Sequence, residues 1–224
     1  PSSFIFYKPK AIVSGDFYWV GESDTKIICA VADCTGHGIP GAFMSLLGNN
    51  MLENVVKKTD PLEPAKILNS LNEELITFLG KNGERSSVKN GMDIALITVD
   101  KTTGQLEYAG AHNSLYLIHN GELSEIKADK ISIGSLNKGE AVHFTNNNRE
   151  LQRGDIIYMF SDGYADQIGG PGRKKFYYQP FKDLLISISK LEMDDQKKKL
   201  DEVIAIWKGE RDQTDDILVV GIKF

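Results

Sequence analysis

Cysteine is scarce in this chain: its 224 residues include two, Cys29 and Cys34. Two thiols at that spacing form neither a disulfide framework nor a paired CxxC zinc site, so a fold held by staples or zinc is excluded and a reduced, cytoplasmic setting fits. Basic charge is also in deficit. Lys and Arg number 26 against 31 Asp and Glu, a formal net charge of −5, which removes the basic footprint of a nucleic-acid binder. Long apolar runs are missing as well. Nothing approaches the roughly 18–20 consecutive apolar residues that span a bilayer, and no charged-then-apolar leader opens the chain. Repeats, low-complexity tracts and a GxxxxGK phosphate cradle are absent too. What remains is 41% hydrophobic and 25% charged residues, enough to bury one core without staples. The expectation is a single domain over 1–224 that binds no nucleic acid and makes no direct membrane contact.

Local pattern divides the chain into elements. Ile12–Val20 and Lys26–Cys34 are β-branched and aromatic runs around a polar turn at Glu22-Ser23-Asp24, which predicts a hairpin. Gly36, Gly38 and Gly41 then lead into a helix over Pro40–Lys57, with Met44, Leu47, Met51 and Val55 at helical spacing. Asp60, Pro61 and Glu63 spell an N-cap, a first-turn proline and a capping acid for a second helix reaching Gly80. Met92–Val99, Gln105–Ala111, Leu115–His119 and Glu122–Lys127 follow as strands, the last two joined by Asn120-Gly121, a hairpin turn by composition. Ile156–Ser161 and Ile217–Phe224 are further strands, with helices over Phe181–Leu191 and Asp194–Lys208 between them and Gly209 as C-cap. Hairpin-linked strands interrupted by helix pairs predict an α+β sandwich of mainly antiparallel sheets.

The aspartates fall in telling places. Asp16 follows Gly15, Asp33 ends the second strand before Gly36-His37-Gly38, Asp162 follows Ile156–Ser161, and Asp215-Asp216 precede the last strand. Strand-end Asp residues commonly serve turns. Four such positions in one small domain, each beside a stiff apolar segment, would instead be costly to bury without a shared counter-ion. Carboxylates are hard ligands, and no Cys or His stands at zinc spacing, so Mg²⁺ or Mn²⁺ is the matching guest.

The segments Gly15-Asp16-Phe17-Tyr18-Trp19, Asp33-Cys34-Thr35-Gly36-His37-Gly38, Ser161-Asp162-Gly163-Tyr164-Ala165-Asp166 and Thr214-Asp215-Asp216-Ile217 resemble, in order and spacing, the SpoIIE-like branch of the PPM metal-dependent phosphatases. Tyr108–Asn113 is similar to that family's middle strand. The resemblance runs from about Phe4 to Phe224. It implies a β-sandwich of two antiparallel sheets flanked by helix pairs, two Mn²⁺ or Mg²⁺ ions, and hydrolysis of phosphoserine or phosphothreonine by metal-bound water. Carried over position by position, it implies Asp16, Asp33 (bridging), Asp162, Asp215 and the backbone carbonyl of Cys34 as metal ligands. It further implies a phosphorylated anti-sigma-factor antagonist of STAS type as substrate, and a place as the output end of a longer sensor chain, which leaves a membrane anchor elsewhere in that chain open. The abrupt start at Pro1 suits such an excised domain. The sequence departs from the family where Leu218 stands for a Thr, and where Gly110-Ala111-His112-Asn113 offers no Asp for a third ion.

Several residues carry a functional and a plainer reading side by side. His37 is either a general acid or a hydrogen-bond partner of a metal-site carboxylate, or a holder of its turn. Asp93 is either a residue that supports the metal ligands or a turn former, and Asp166 and Asp216, neighbours of the implied ligands, are candidates for binding waters of the metal shell or the ions themselves. Gly169–Lys175 reads as a flexible basic loop that meets a phosphoprotein, against a solvated surface loop. No Arg stands near the first strand to hold phosphate, leaving Lys8 and Lys10 as stand-ins. Two other functions remain open at this point: a non-catalytic docking module of the same fold, and a hydrolase of small phosphoesters.

Overall fold

The computed structural model describes residues 2–81, 91–135 and 142–224. In chain order the elements are β1 (Ser2–Lys8), β2 (Asp16–Glu22), β3 (Lys26–Cys34), α1 (Gly38–Lys58), α2 (Pro64–Lys81), β4 (Met92–Asp100), β5 (Gln105–Ala111), β6 (Leu115–His119), β7 (Glu122–Ile126), β8 (Asn147–Glu150), β9 (Ile156–Phe160), α3 (Gly163–Asp166), β10 (Ile168–Gly169), β11 (Lys174–Lys175), α4 (Tyr178–Ile188), α5 (Met193–Lys208) and β12 (Ile217–Lys223). Two five-stranded sheets result, ordered β2-β3-β4-β5-β8 and, second, β1-β12-β9-β6-β7. Every pairing within them is antiparallel. The α+β sandwich expected from the sequence is the fold observed.

Side-chain parity explains the layers, because successive residues of a strand point to opposite faces. On β3, Cys29 and Val31 face the second sheet and pack with Leu117, Ile157, Met159, Leu218 and Val220. Ile28, Ala30, Ala32 and Cys34 point the other way, against Leu68, Leu71 and Leu75 of α2 and Met44 and Leu52 of α1. The second sheet does the same with Phe181 and Leu185 of α4 and Leu200 and Ile204 of α5. Central strands covered on both faces therefore read as unbroken apolar runs.

Three expectations are corrected. The first predicted strand begins at Asp16, not Ile12, and Ile12 is fully exposed. The preceding segment cannot join a ladder, because the amides of Lys10 and Gly15 are taken by the Asp216 carboxylate at 2.7 and 2.8 Å. Helix α2 begins at Pro64 rather than Pro61, and the Asp60–Pro61 peptide is cis. The Lys26 ammonium holds the Leu62 carbonyl at 2.8 Å, so the rule of proline in the first turn applies to the later proline. Finally, β1 and β8 were not foreseen: β1 pairs with β12 over 200 residues away, and β8 is a polar edge strand on β5. The turn signals hold. Asn120 and Gly121 both have positive φ, and Gly209 at φ 58° closes α5 by donating to the Ala205 carbonyl.

Candidate active site

Strand register builds the site. Asp16 of β2 lies opposite Asp33 of β3, and Asp33 lies opposite Asp93 of β4. Directly opposed residues of antiparallel strands share a face, so three carboxylates stand in a row across three strand ends. Asp33 and Asp93 have the parity of Val31 and Ala95, which face the second sheet. That sheet contributes Asp162, just after β9, and Asp215 and Asp216, just before β12. Asp216 Oδ2 accepts the Gly15 amide at 2.8 Å, which puts both sets at the same end of the sandwich.

The backbone is fitted closely around this end. A side chain at Gly15 or Gly41 would overlap the Gly36 carbonyl, and one at Gly163 would overlap the carbonyl of Asp216. Glycine at these positions lets the strand start, the turn and α1 close on one another.

Like charges opposed across a sheet destabilise it, and here the cost shows. Asp33 is pushed up to about 9, first by lost hydration and then by repulsion from Asp16, Asp162, Asp215 and Asp93. Burial raises Asp16 to about 7; a hydrogen bond with Ser161 opposes the rise, while Asp216, Asp215 and Asp162 add to it. Asp162 reaches about 6 through burial and the nearby Asp166 and Asp215, with Lys175 pulling it back. Asp93 is raised by burial, against a hydrogen bond from the Ser132 hydroxyl at 2.6 Å and the pull of His112.

Asp16 is 4% exposed, and its Oδ2 is buried without a hydrogen-bond partner. An orphaned carboxylate oxygen costs about 1–3 kcal/mol or more, and a hard cation would relieve it. The donor set, all carboxylate and carbonyl oxygen, fits Mg²⁺ or Mn²⁺. Among the described residues, no three Asp, Glu, His or Cys side chains close around one point as a ready-made cage. The acids line two facing sheet ends instead. That suits ions that keep several waters and take only one or two carboxylates each.

A family model described as Stage II sporulation protein E (SpoIIE) matches residues 23–224. The chain belongs to the SpoIIE family. It is 24% identical over 161 residues to the phosphoserine phosphatase RsbU of Bacillus subtilis (strain 168), a match over 70% of this chain and 44% of RsbU. The chain thus spans less than half of that relative's length. Among solved structures, it is 31% identical to the SiaA-PP2C domain of Pseudomonas aeruginosa, with a TM-score of 0.89 over 99% of this chain and 85% of that one. The PP2C phosphatase domain of SpoIIE from Bacillus subtilis, solved with a fragment of its regulatory domain, superimposes at a TM-score of 0.78. That match is 18% identical and covers 100% of this chain and 63% of the other; it speaks for the fold alone. The enzyme class that goes with these likenesses is the phosphoprotein phosphatase.

The remaining residues of this SpoIIE-family domain sort by what they touch. Asp215 is half-buried, and its Oδ1 accepts the Asp216 amide at 2.8 Å. Asp216 is 2% exposed and spends both oxygens on the loop before β2. The Cys34 side chain faces the helices, away from Asp33, and burial raises its thiol pKa, with the Asp33 charge adding to the rise. His37 is exposed at the N-cap of α1 and makes no capping hydrogen bond there, so it does not hold the turn in that way. Asp166 ends α3 and pairs with Lys175 at 2.6 Å. Lys8 is paired with Asp201 of α5, and the Lys10 side chain is exposed.

Four contributors escaped the sequence reading. Ser161 accepts the Leu218 amide at 3.1 Å and opposes the rise at Asp16, placing a hydroxyl near the cluster where Leu218 has none. Ser132 steadies Asp93. His112, at positive φ, acts on Asp93 from the middle strand. Tyr178 is raised to about 12 by burial and by Asp162, Asp166, Asp33 and Asp93. Together with His112 it lines a cavity of about 350 Å³. A serine or tyrosine carries no positional signal of its own, so only the folded chain identifies these.

Proposed function

We propose that this domain is a metal-dependent serine/threonine phosphatase acting on a phosphorylated partner protein of STAS type, in bacterial signalling. The observation that carries the reading is the row Asp16, Asp33 and Asp93 opposite Asp162 and Asp215, with one buried oxygen unpartnered. Asp16, Asp33, Asp162, Asp215 and the Cys34 carbonyl would hold two Mn²⁺ or Mg²⁺ ions, with Asp33 shared between them. Such a pair, when bound, activates water and neutralises phosphoryl oxygens. The chain's own part is positioning. Asp216 ties down the loop that delivers Asp16, and Ser132 orients Asp93.

The likeness to RsbU supports a phosphoserine substrate, and no nucleotide cradle competes with that reading. Specificity would then come from the loops around the carboxylates. Service as the output domain of a longer sensor chain belongs to the same proposal. The test compares a phosphoserine STAS protein, ATP and a sugar phosphate as substrates, each with Mn²⁺ and with EDTA. The phosphoprotein is expected to give much the highest kcat/KM, and EDTA to abolish turnover. Equal efficiency on ATP would overturn the substrate class, and full activity in EDTA would overturn the metal mechanism.

A further inference from the structure

The carboxylate end poses an electrostatic problem for its substrate. A phosphate monoester dianion must approach five or six aspartates, so a protein cation is expected beside the bound ions. The chain has no arginine before Arg85, and Lys8 is committed to Asp201.

Lys175 is placed for the task. The segment read from sequence as a flexible loop is a docked hairpin, with Ile168 opposite Lys175 and Gly169 opposite Lys174. Three contacts hold it. The Gly170 amide donates to the Trp207 carbonyl of α5 at 2.9 Å, Phe176 to Gln167 at 3.0 Å, and Tyr177 to Ala165 at 2.7 Å. A side chain at Gly169 would overlap Trp207, so the hairpin lies directly on α5.

This seat brings the Lys175 ammonium to Asp166 Oδ2 at 2.6 Å. Asp166 is one helical turn from Asp162, its amide donating to the Asp162 carbonyl at 2.9 Å. The Lys175 side chain remains 49% exposed, so a ligand can reach it. A half-exposed ion pair contributes little to stability, which leaves the pair free to exchange its acceptor.

We propose that Lys175 is the cation that receives the substrate's phosphoryl group, leaving Asp166 for a phosphoryl oxygen, with Asp166 as its positioning partner. This rests on the phosphatase reading and assigns its missing phosphate-binding residue. It also divides the basic segment: Arg173 and Lys174 are exposed and free to meet a partner's surface, whereas Lys175 serves the reacting group.

The test uses inorganic phosphate as probe, titrated calorimetrically into wild type, K175M, K175R and K174M with and without Mn²⁺, alongside KM and kcat for p-nitrophenyl phosphate. K175M should weaken phosphate binding about tenfold or more, the scale of a lost charge-assisted hydrogen bond. It should raise KM in step and leave Mn²⁺ affinity unchanged. K175R should recover most of the binding, and K174M should stay within about twofold of wild type. Phosphate binding in K175M equal to wild type, or no phosphate binding by wild type in either metal state, would overturn the assignment. Phosphate binding that needs Lys175, in a protein that hydrolyses no phosphoester, would overturn the phosphatase reading and leave the assignment standing.

Discussion

The two ends of β9 carry carboxylates with opposite fates, one buried and one half-buried. Asp155, before the strand, is 3% exposed and fully bonded: His119 Nδ1 lies 2.7 Å from one oxygen and the Gln152 amide 2.9 Å from the other. Asp162, at the far end, faces other carboxylates and is raised to about 6 by burial and their repulsion. Desolvation is paid at both ends, but only one is compensated within the chain. Buried polar groups are almost always satisfied in native proteins. The uncompensated end, where Asp16 Oδ2 has no partner, is the feature on which the proposed metal and substrate site rests.

Substitutions at the two ends should separate sharply. The largest expected effect is Asp33→Asn, which removes the carboxylate assigned to both ions. Turnover on a phosphopeptide should fall by at least ~10²–10³, the scale of one preorganised electrostatic contact. Wild-type rates for the Asn variant would break the contrast outright.

Acidity sharpens it next. Asp16 and Asp33 have folded pKa values of about 7 and 9, above the ordinary 3.8. A raised carboxylate pKa means that the folded state holds its proton more tightly than the unfolded state. The stability from that proton is fully present below about pH 4 and is lost as pH rises through 7 and 9. In EDTA, the melting temperature should therefore decline between pH 5 and pH 9 from these two groups. Added Mn²⁺ should remove the decline, because the ions bind the ionised form. Thermal melts across that range check both, and a metal-free protein that gains stability towards pH 9 would contradict the charge arrangement.

Asp216→Ala and Asp155→Ala form the third pair. The first leaves the amides of Lys10 and Gly15 without an acceptor, the second the Gln152 amide and the His119 ring, and each should cost about 1–3 kcal/mol in chemical denaturation. Only the first should also lower activity, since the loop it ties delivers Asp16. Equal turnover in both variants would show that the loop needs no anchor. The smallest effect is expected from Cys34→Ala. That thiol sits against the helices, and its carbonyl is the only group assigned to the site, so phosphopeptide turnover should stay within about twofold of wild type and stability should fall by about 1 kcal/mol.

Much of this was legible in the linear sequence, and the reasons are local. Unbroken β-branched and apolar runs announced the central strands, which are covered on both faces, and a 3.6-residue repeat announced the helices, which present one stripe to the core. Asn120-Gly121 and Gly209 marked their turns through backbone geometry that few other residues adopt. The motif order around Asp16, Asp33, Asp162 and Asp215 was enough to indicate the family. Residues whose meaning depends on distant partners were not legible. Strand β1 has no turn beside it to declare its pairing with β12, and Pro61 carried the same helix-start signal as Pro64 until Lys26 claimed the Leu62 carbonyl.

What the sequence by itself determined is the set of elements and the positions of the carboxylates along them. What only the tertiary structure decided is which carboxylates face one another and which are already spent. Asp93 joins the row because β4 pairs in register with β3, whereas Asp216 leaves it because its two oxygens bind the amides of Lys10 and Gly15. Lys175 pairs with Asp166, one helical turn from Asp162, because its hairpin docks on α5. Each is a relation between chain segments far apart in sequence. A linear pattern records a residue's chemistry and its immediate spacing; charge, burial and hydrogen-bond supply are set by neighbours that folding alone brings within reach.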